Sequence, residues 1–215
     1  MKTKLLNRLT LRCAQGVAHV AAVAALLWAG QAQATLPIES WNTPSGATVL
    51  LMRTEALPML DVQVSFPAGA RAEPAGKTGL ASLTASLIGK GSARLNENQI
   101  ADGFANTGAQ YGAGASADSA SVSLRTLTTE PELSQSIALY REVLQTPAFP
   151  ADVLAREQKR SLASFKESLT KPATLADRAF SEALYPNHPY GRLVTEASLQ
   201  AITVDDLKTF YKSRY

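Results

Sequence analysis

The residues whose spacing could support catalysis lie in one predicted helix, from Gly79 to Ser92, with the sequence GLASLTASLIGKGS. Its leucines and isoleucine recur at helical spacing and predict one apolar face. On the other side, Ser82, Ala85 and Ser86 occupy positions i, i+3 and i+4, where a helix can present two metal ligands and a base to one point. Serine hydroxyls are poor zinc ligands, and alanine cannot accept a proton from water. The helix therefore has the spacing of a metal site without its chemistry.

The first 34 residues are typical of a secretory signal peptide. Four basic residues precede an apolar run from Val17 to Gly30, and Ala32-Gln33-Ala34 fits a small-x-small cleavage site. The apolar run is short for a bilayer span, so a retained membrane anchor is the alternative. We expect an exported chain, periplasmic and soluble, that begins at residue 35 and has no membrane anchor.

Removal of that segment limits the chemistry of the mature chain. Of 21 basic and 18 acidic residues, the leader holds four basic and no acidic ones, so the mature chain has a net charge of about −1. This charge does not favour binding to nucleic acid. Cys13 and His19 are lost as well, so His188 is the single remaining histidine. The mature chain can form no disulfide and cannot supply two imidazoles to a metal. Its 181 residues suffice for one domain with a substantial core.

The order of predicted elements indicates an α+β fold. Ala47–Arg53 and Leu60–Phe66 are predicted strands that form a hairpin or lie side by side, and alternation within Gln110–Thr126 indicates a further strand. Helices are predicted over 96–106, from 130 to before 147, over 151–170 and 173–184, and after a capping box that begins at Thr203. The helix after residue 130 should bury one face, formed by Leu133, Ile137, Tyr140 and Leu144. We expect the helices to pack on one face of the sheet.

The chain resembles the N-terminal domain of the insulinase/pitrilysin-type zinc peptidases, which carry an inverted H-x-x-E-H motif. In that family the segment reads approximately G-x-x-H-x-x-E-H-x-x-x-x-G-[ST]; Gly79 and Gly91-Ser92 match its ends, and Ser82, Ala85 and Ser86 take the functional positions. Three further segments match in the same order: FPAGAR at 66–71, NHPYGR at 187–192 and ITVDDLKTFY at 202–211. The resemblance implies an insulinase-like (mitochondrial-processing-peptidase-like) domain over residues 35–215.

The resemblance also implies where the remaining parts of a zinc site would fall. The family's third ligand is a glutamate in an E-x6-E pattern; Glu157 matches the first glutamate, and the ligand position falls on Ser164, with Glu167 nearby. The chain should thus contain no catalytic residue and no bound metal. Its vestigial zinc-site positions are Ser82, Ala85, Ser86 and Ser164.

A second implied site is an edge strand that pairs with the substrate backbone in this family. The corresponding residues here are nearly bare of side chains: Gly112, Ala113, Gly114 and Ala115. Such a strand would permit addition of a peptide strand. It could equally be a strand that packs closely under a neighbouring helix.

These expectations define a catalytically inactive homologue of the zinc metallopeptidases. By resemblance, the chain would be a non-catalytic partner subunit that helps to form a peptide-binding chamber, while a catalytic insulinase-family subunit supplies zinc and the glutamate base. The alternative is a stand-alone exported module that binds peptide or protein. The sequence ends at Tyr215, where the family continues into another strand and a second homologous domain, so we expect a domain truncated at its C-terminal end.

Two serine-enzyme interpretations are weaker. Ser168 and Lys171 fit S-x-x-K, and Lys77-Thr78-Gly79 fits K-T-G, but in penicillin-binding proteins S-x-x-K comes before K-T-G, and no S-D-N is present. A Ser-His-Asp triad could use only His188, and there is no G-x-S-x-G elbow to support it.

Overall fold

The computed structural model describes residues 37–215, which fall into two compact units divided after Leu57. The predicted signal peptide lies outside the described residues. No helix between residues 37 and 215 has the length and apolarity that a bilayer span requires.

The first unit contains an antiparallel hairpin of β1 (Ile38–Asn42) and β2 (Thr48–Met52). The predicted pairing of β2 with the next strand is therefore wrong, because β2 pairs with β1 and the next strand belongs to another sheet. The turn between β1 and β2 explains why β2 pairs with β1. Gly46 has a φ of +87°, and its N–H donates to the carbonyl of Thr43 at 2.9 Å. This turn folds β2 back onto the preceding residues.

The second unit contains a three-stranded antiparallel sheet in the order β3-β5-β4. Its strands are β3 (Met59–Phe66), β4 (Gln110–Ala115) and β5 (Ala120–Leu127). The segment predicted as one strand over residues 110–126 is thus a hairpin. Its turn is closed by Ser116, whose N–H donates to the carbonyl of Ser119 at 2.7 Å.

Seven α-helices and two short 3₁₀-helices complete this unit of the described chain. The α-helices are α1 (Leu80–Ile88), α2 (Glu97–Asn106), α3 (Glu132–Gln145), α4 (Ala151–Ser168), α5 (Pro172–Leu184), α6 (Glu196–Ala201) and α7 (Val204–Arg214). The 3₁₀-helices span Ala70–Ala72 and Pro189–Gly191. On β5, alternate residues from Ala120 to Thr126 are buried towards the helices. This confirms the α+β fold with helices on one face of the sheet.

Capping explains where several helices begin. The capping box predicted at Thr203 is present, with Asp206 as its second member. α6 was not predicted, although its Thr195 and Ser198 form the same reciprocal arrangement. In this box serine replaces the usual glutamate or glutamine, so the sequence pattern is less recognisable.

α3 differs from its predicted orientation. Ile137 is 37% exposed, and the buried residues are Ser136, Tyr140 and Val143. The cause is a chain of hydroxyl groups: Thr126 donates to Ser136 at 3.0 Å, and Ser136 donates to Thr107 at 2.9 Å. Because buried hydroxyls need partners, this chain turns a polar position of the helix inward.

Glu142 of α3 joins the helix to the segment between α1 and α2. Ser92 Oγ donates to its carboxylate at 2.9 Å, and Arg94 forms an ion pair with it. The Arg94 and Ser92 hydrogen bonds lower the pKa of Glu142 from 4.5 to about 2. The folded chain therefore holds this carboxylate in its charged form more firmly than the unfolded chain does.

This pKa shift predicts a pH-dependent contribution to stability. A carboxyl group with a lowered pKa stabilises the fold fully above pH 4.5, and the contribution falls as the pH drops from 4.5 towards about 2. Glu142→Gln should therefore lower the melting temperature at pH 7, with a smaller difference from wild type at about pH 3. Thermal unfolding of both proteins across this range tests the prediction. A melting-temperature difference that stays constant with pH would contradict it.

Candidate functional site

A cleft of about 550 Å³ lies between α1 and α4. Ser82 and Ser86 line it from α1, one turn apart. α4 contributes residues that recur every three to four positions and so share one helix face: Glu157, Arg160, Ser161, Ser164 and Ser168. The structure thus brings together three of the four residues that the sequence assigned to a vestigial zinc site.

Ala85, the fourth of these residues, lies apart from the cleft surface. It is 0% exposed, whereas Ser82 and Ser86 are the exposed residues of α1. The remainder of the helix is buried, including the predicted apolar face of Leu80, Leu83, Leu87 and Ile88. A methyl group at position 85 ends within the core and offers no polar atom.

Only some of the serine hydroxyls in the cleft form hydrogen bonds within the described chain. Ser86 Oγ donates to the Leu83 carbonyl at 3.0 Å, and Ser168 Oγ donates to the Phe165 carbonyl at 2.6 Å. Among residues 37–215, Ser82, Ser161 and Ser164 have no hydrogen-bond partner for their hydroxyls. Each of these hydroxyls can donate one hydrogen bond and accept others. The same cleft has an apolar part, formed by Leu83, Phe165, Val194 and Leu199.

Glu157 is the one carboxylate among the residues that line the cleft. It is 9% exposed, and its oxygens lie 3.4 Å from Arg156 Nη2 and 3.7 Å from Arg160 Nη1. Glu167, the nearby glutamate considered from the sequence, is not part of the lining. Its side chain is 73% exposed and lies 3.4 Å from Lys171 Nζ.

The donor set of the cleft does not fit zinc. In the described part of the chain, no three His, Cys, Asp or Glu side chains are arranged so that they could hold a metal ion. One carboxylate held by two arginines and several hydroxyls supply neither the imidazoles nor the number of strong donors that zinc sites use.

The N-terminus of α1 is fixed by a carboxylate that the sequence analysis missed. Gly79 has a φ of +101°, and a Cβ there would lie 2.7 Å from Leu199 Cδ2, so only glycine suits the helix start. Glu73 is 5% exposed and accepts the N–H groups of Gly79 at 3.1 Å and Ala81 at 2.8 Å. Burial raises the pKa of Glu73. The cap comes from the preceding loop, beyond the positions at which capping patterns are sought.

Loss of this carboxylate should destabilise the cleft. Glu73→Ala leaves two N–H groups at the start of α1 without an acceptor, and we expect it to lower the free energy of unfolding by about 2–3 kcal/mol. Glu73→Gln keeps one carbonyl acceptor and should cost about 1 kcal/mol. Urea unfolding of the three proteins measures both values. Equal losses for the alanine and glutamine variants would contradict the capping role.

The predicted peptide-binding residues lie on β4, at one edge of the sheet of residues 58–215. Hydrogen-bonded and non-bonded pairs alternate along an antiparallel ladder. The Ser116–Ser119 pair is hydrogen-bonded through the N–H of Ser116. Every second residue before it on β4, Gly114 and Gly112, therefore also forms a hydrogen-bonded pair with β5. Ala113 and its alternate neighbours Tyr111 and Ala115 therefore direct N–H and C=O groups to the free edge.

The close packing at β4 involves Tyr111 rather than the glycines. A Cβ on Gly89, the residue that follows α1, would lie 2.5 Å from the ring of Tyr111, which also stacks on Phe104 with ring centroids 5.1 Å apart. A Cβ on Gly114 would meet no atom within 4 Å, and one on Gly112 would meet Ser123 Oγ at 3.0 Å. The C-terminal end of α1 therefore packs against Tyr111 of β4 at Gly89, and the serines of α1 line the cleft.

The groups of the serine-enzyme interpretations have structural partners. Lys77 Nζ lies 2.7 Å from Asp206 Oδ2 and donates to the Ala201 carbonyl. Ser168 donates to a backbone carbonyl of its own helix, and His188 Nδ1 accepts the N–H of Tyr190 at 3.2 Å. These contacts account for each side chain without a catalytic role.

Comparisons with known proteins agree with this architecture. No curated protein matches the chain. A crystal structure described as a peptidase M16 inactive domain from Pseudomonas fluorescens is 35% identical, with a TM-score of 0.78, and the match covers 82% of this chain and 43% of that one. A protease from Helicobacter pylori is 21% identical, with a TM-score of 0.73 and coverage of 82% and 43%.

The periplasmic protease PqqL from Escherichia coli is 16% identical, with a TM-score of 0.71, and the match covers 83% of this chain and 21% of PqqL. The chain therefore spans less than half the length of each of these proteins. The sequence model described as "Insulinase (Peptidase family M16)" matches residues 48–198. This match covers more than half of the sequence, and the chain belongs to the insulinase family, peptidase family M16.

Proposed function

We propose that this chain is a catalytically inactive insulinase-family domain that binds extended peptide as the partner of a zinc-bearing subunit. The observation that carries the proposal is the cleft between α1 and α4. The positions that match the family's zinc ligands, Ser82, Ser86 and Ser164, line one surface, and all three are serine. Two helices that present these positions to one cleft without zinc ligands support the proposal.

The described relatives support this proposal. The Pseudomonas fluorescens structure, which is 35% identical to this chain over the matched region, is described as an inactive domain. PqqL is described as a periplasmic protease, which is compatible with the predicted export of this chain. The fold is thus found both in proteases and in a domain described as inactive.

Two surfaces would contribute to peptide binding. The free N–H and C=O groups at Tyr111, Ala113 and Ala115 can form a ladder with an extended peptide, which gives affinity without dependence on sequence. The hydroxyls of the cleft can exchange hydrogen bonds with a polar side chain or with the peptide backbone. Cleavage would need zinc and a glutamate base, both supplied by the partner subunit.

An affinity pull-down from the native envelope tests the partner role. The tagged mature chain should recover a protein with an intact H-x-x-E-H motif in near-equal amount. Recovery of the chain alone would favour the stand-alone binding module.

A peptidase assay tests the absence of catalysis. The purified chain should cleave no peptide with or without added zinc. Chelator-sensitive cleavage by the chain alone would overturn the proposal, since it would require a metal site that the cleft does not provide.

A further inference from the structure

A second cavity, of about 390 Å³, lies between the two 3₁₀-helices and the end of α7. Its lining includes two arginines, Arg71 and Arg214, together with His188 and Tyr190. The volume is in the range of small-ligand sites. None of these residues belongs to the α1–α4 cleft or to β4.

The residues that line this cavity include two arginines and no acidic side chain. Asp118, outside the lining, contacts two lining residues: its Oδ1 lies 3.4 Å from Arg71 Nε and accepts the Tyr190 hydroxyl at 2.7 Å. Among residues 37–215, the Arg71 guanidinium forms no hydrogen bond, and the Arg214 guanidinium has neither a hydrogen bond nor an ion pair. The cavity is thus lined by two guanidinium groups, of which Arg71 alone has a carboxylate within ion-pair distance.

Arg214 also borders a neighbouring cavity that contains Asp205 and Asp206. Asp206 already accepts a hydrogen bond from Lys77 Nζ at 2.7 Å, and Asp205 lies beyond 4 Å of any cationic nitrogen in the described chain. These two carboxylates reduce the positive potential at Arg214 but form no hydrogen bond with its guanidinium in the described chain. The guanidinium remains free to bind an anion.

Arg71 is held in a fixed position beside the end of β4. The N–H groups of Ala70 and Arg71 donate to the carbonyls of Ser116 and Ala117, both at 2.9 Å. The backbone of Asp118 packs against Gly69 so closely that a Cβ there could not be accommodated. The cavity therefore lies at the end of the sheet where the turn joins β4 and β5, and a strand added along β4 would run towards the same end.

We propose that this cavity binds a carboxylate, namely the side chain of an acidic residue near the end of a peptide. The two guanidinium groups present planar pairs of donors, which match the two oxygens of a carboxylate. The location beside β4 makes a bound peptide the source of the carboxylate, and this part of the inference rests on the proposed function.

Binding of two matched decapeptides tests the inference. Both are N-acetylated and C-amidated; one has the sequence DDTVTVTVDD and the other NNTVTVTVNN, so that acidic residues stand at both ends. Isothermal titration should give an affinity for the acidic peptide about five- to tenfold higher than for the neutral one, with a difference that shrinks in high salt. Arg71→Gln and Arg214→Gln should each abolish most of this difference. Arg141→Gln, an exposed arginine of α3, should leave it unchanged.

The outcomes separate this inference from the proposed function. If both peptides bind wild type equally, the carboxylate site is wrong and peptide binding stands. If neither binds, the proposed peptide-binding function fails. In that case the dipeptide N-acetyl-Asp-Asp-amide at about 10 mM should still shift the NMR signals of the Arg71 and Arg214 side chains, because weak ionic contacts are measurable at such concentrations. Unchanged signals would overturn the site.

Discussion

Replacing Ser82 and Ser86 with histidine and Ser164 with glutamate is expected to give a chain that binds one Zn²⁺ ion with a Kd of about 1 µM or lower. The parent chain should bind none under the same conditions. Positions 82 and 86 are one helical turn apart on the exposed side of α1, and Ser164 lines the same cleft from α4. Two imidazoles and a carboxylate from two packed helices form the three-ligand set of a catalytic zinc site. Isothermal titration with zinc, with an EDTA-treated sample as reference, measures the gain.

Two control variants locate the zinc ligands. Ser82→His/Ser86→His, without the change at position 164, should bind zinc at least tenfold more weakly, because it has lost a ligand. Lys208→His/Lys212→His places the same four-residue spacing on the exposed side of α7 and gives the affinity of a histidine pair without the cleft. If the triple variant binds no more tightly than the double variant at positions 82 and 86, Ser164 is not the third position. If it binds no more tightly than the α7 pair, the cleft does not retain the geometry of a zinc site.

The sequence predicted the parts of the fold that depend on local patterns. The apolar face of α1, the bounds of α4 and α5, and the capping box at Thr203 follow from periodicity and from hydrogen bonds within a few residues. The grouping of Ser82, Ser86 and Ser164 came from the family resemblance. The structure places these three residues in one cleft, and their assignment as former zinc ligands stays a prediction that the triple variant tests.

The errors arose where the periodicity of one element does not determine its neighbours. The pairing of β2 with β1 depends on a turn at Gly46, while the periodicity of β2 is compatible with either neighbouring strand. The rotation of α3 depends on hydroxyls from Thr107 and Thr126, which no helix periodicity reveals. Glu73 caps a helix from outside the positions where capping patterns operate. In the last two cases a specific hydrogen bond from outside the helix determines the structure, whereas the pairing of β2 follows from a short turn.

Ala113→Pro is expected to lower the affinity for the neutral decapeptide NNTVTVTVNN by about tenfold or more, with little loss of stability. The ladder pattern directs the N–H of Ala113 to the free edge of β4, so proline removes a donor to the added strand and no bond to β5. Proline also restricts the residue before it, and that residue is Gly112, which tolerates the restriction best. Isothermal titration gives the affinity, and thermal unfolding gives the stability.

The next residue of the strand supplies the matched control for this prediction. Gly114 bonds to β5, so Gly114→Pro should lower the melting temperature by several degrees because it breaks a ladder hydrogen bond inside the sheet. Ala113→Ser keeps the N–H and should bind the peptide as wild type does. A folded Ala113→Pro chain with wild-type affinity would show that the peptide does not add to this edge. Peptide binding would then have to depend on the hydroxyls of the α1–α4 cleft, where Ser82, Ser161 and Ser164 hold the unpaired groups.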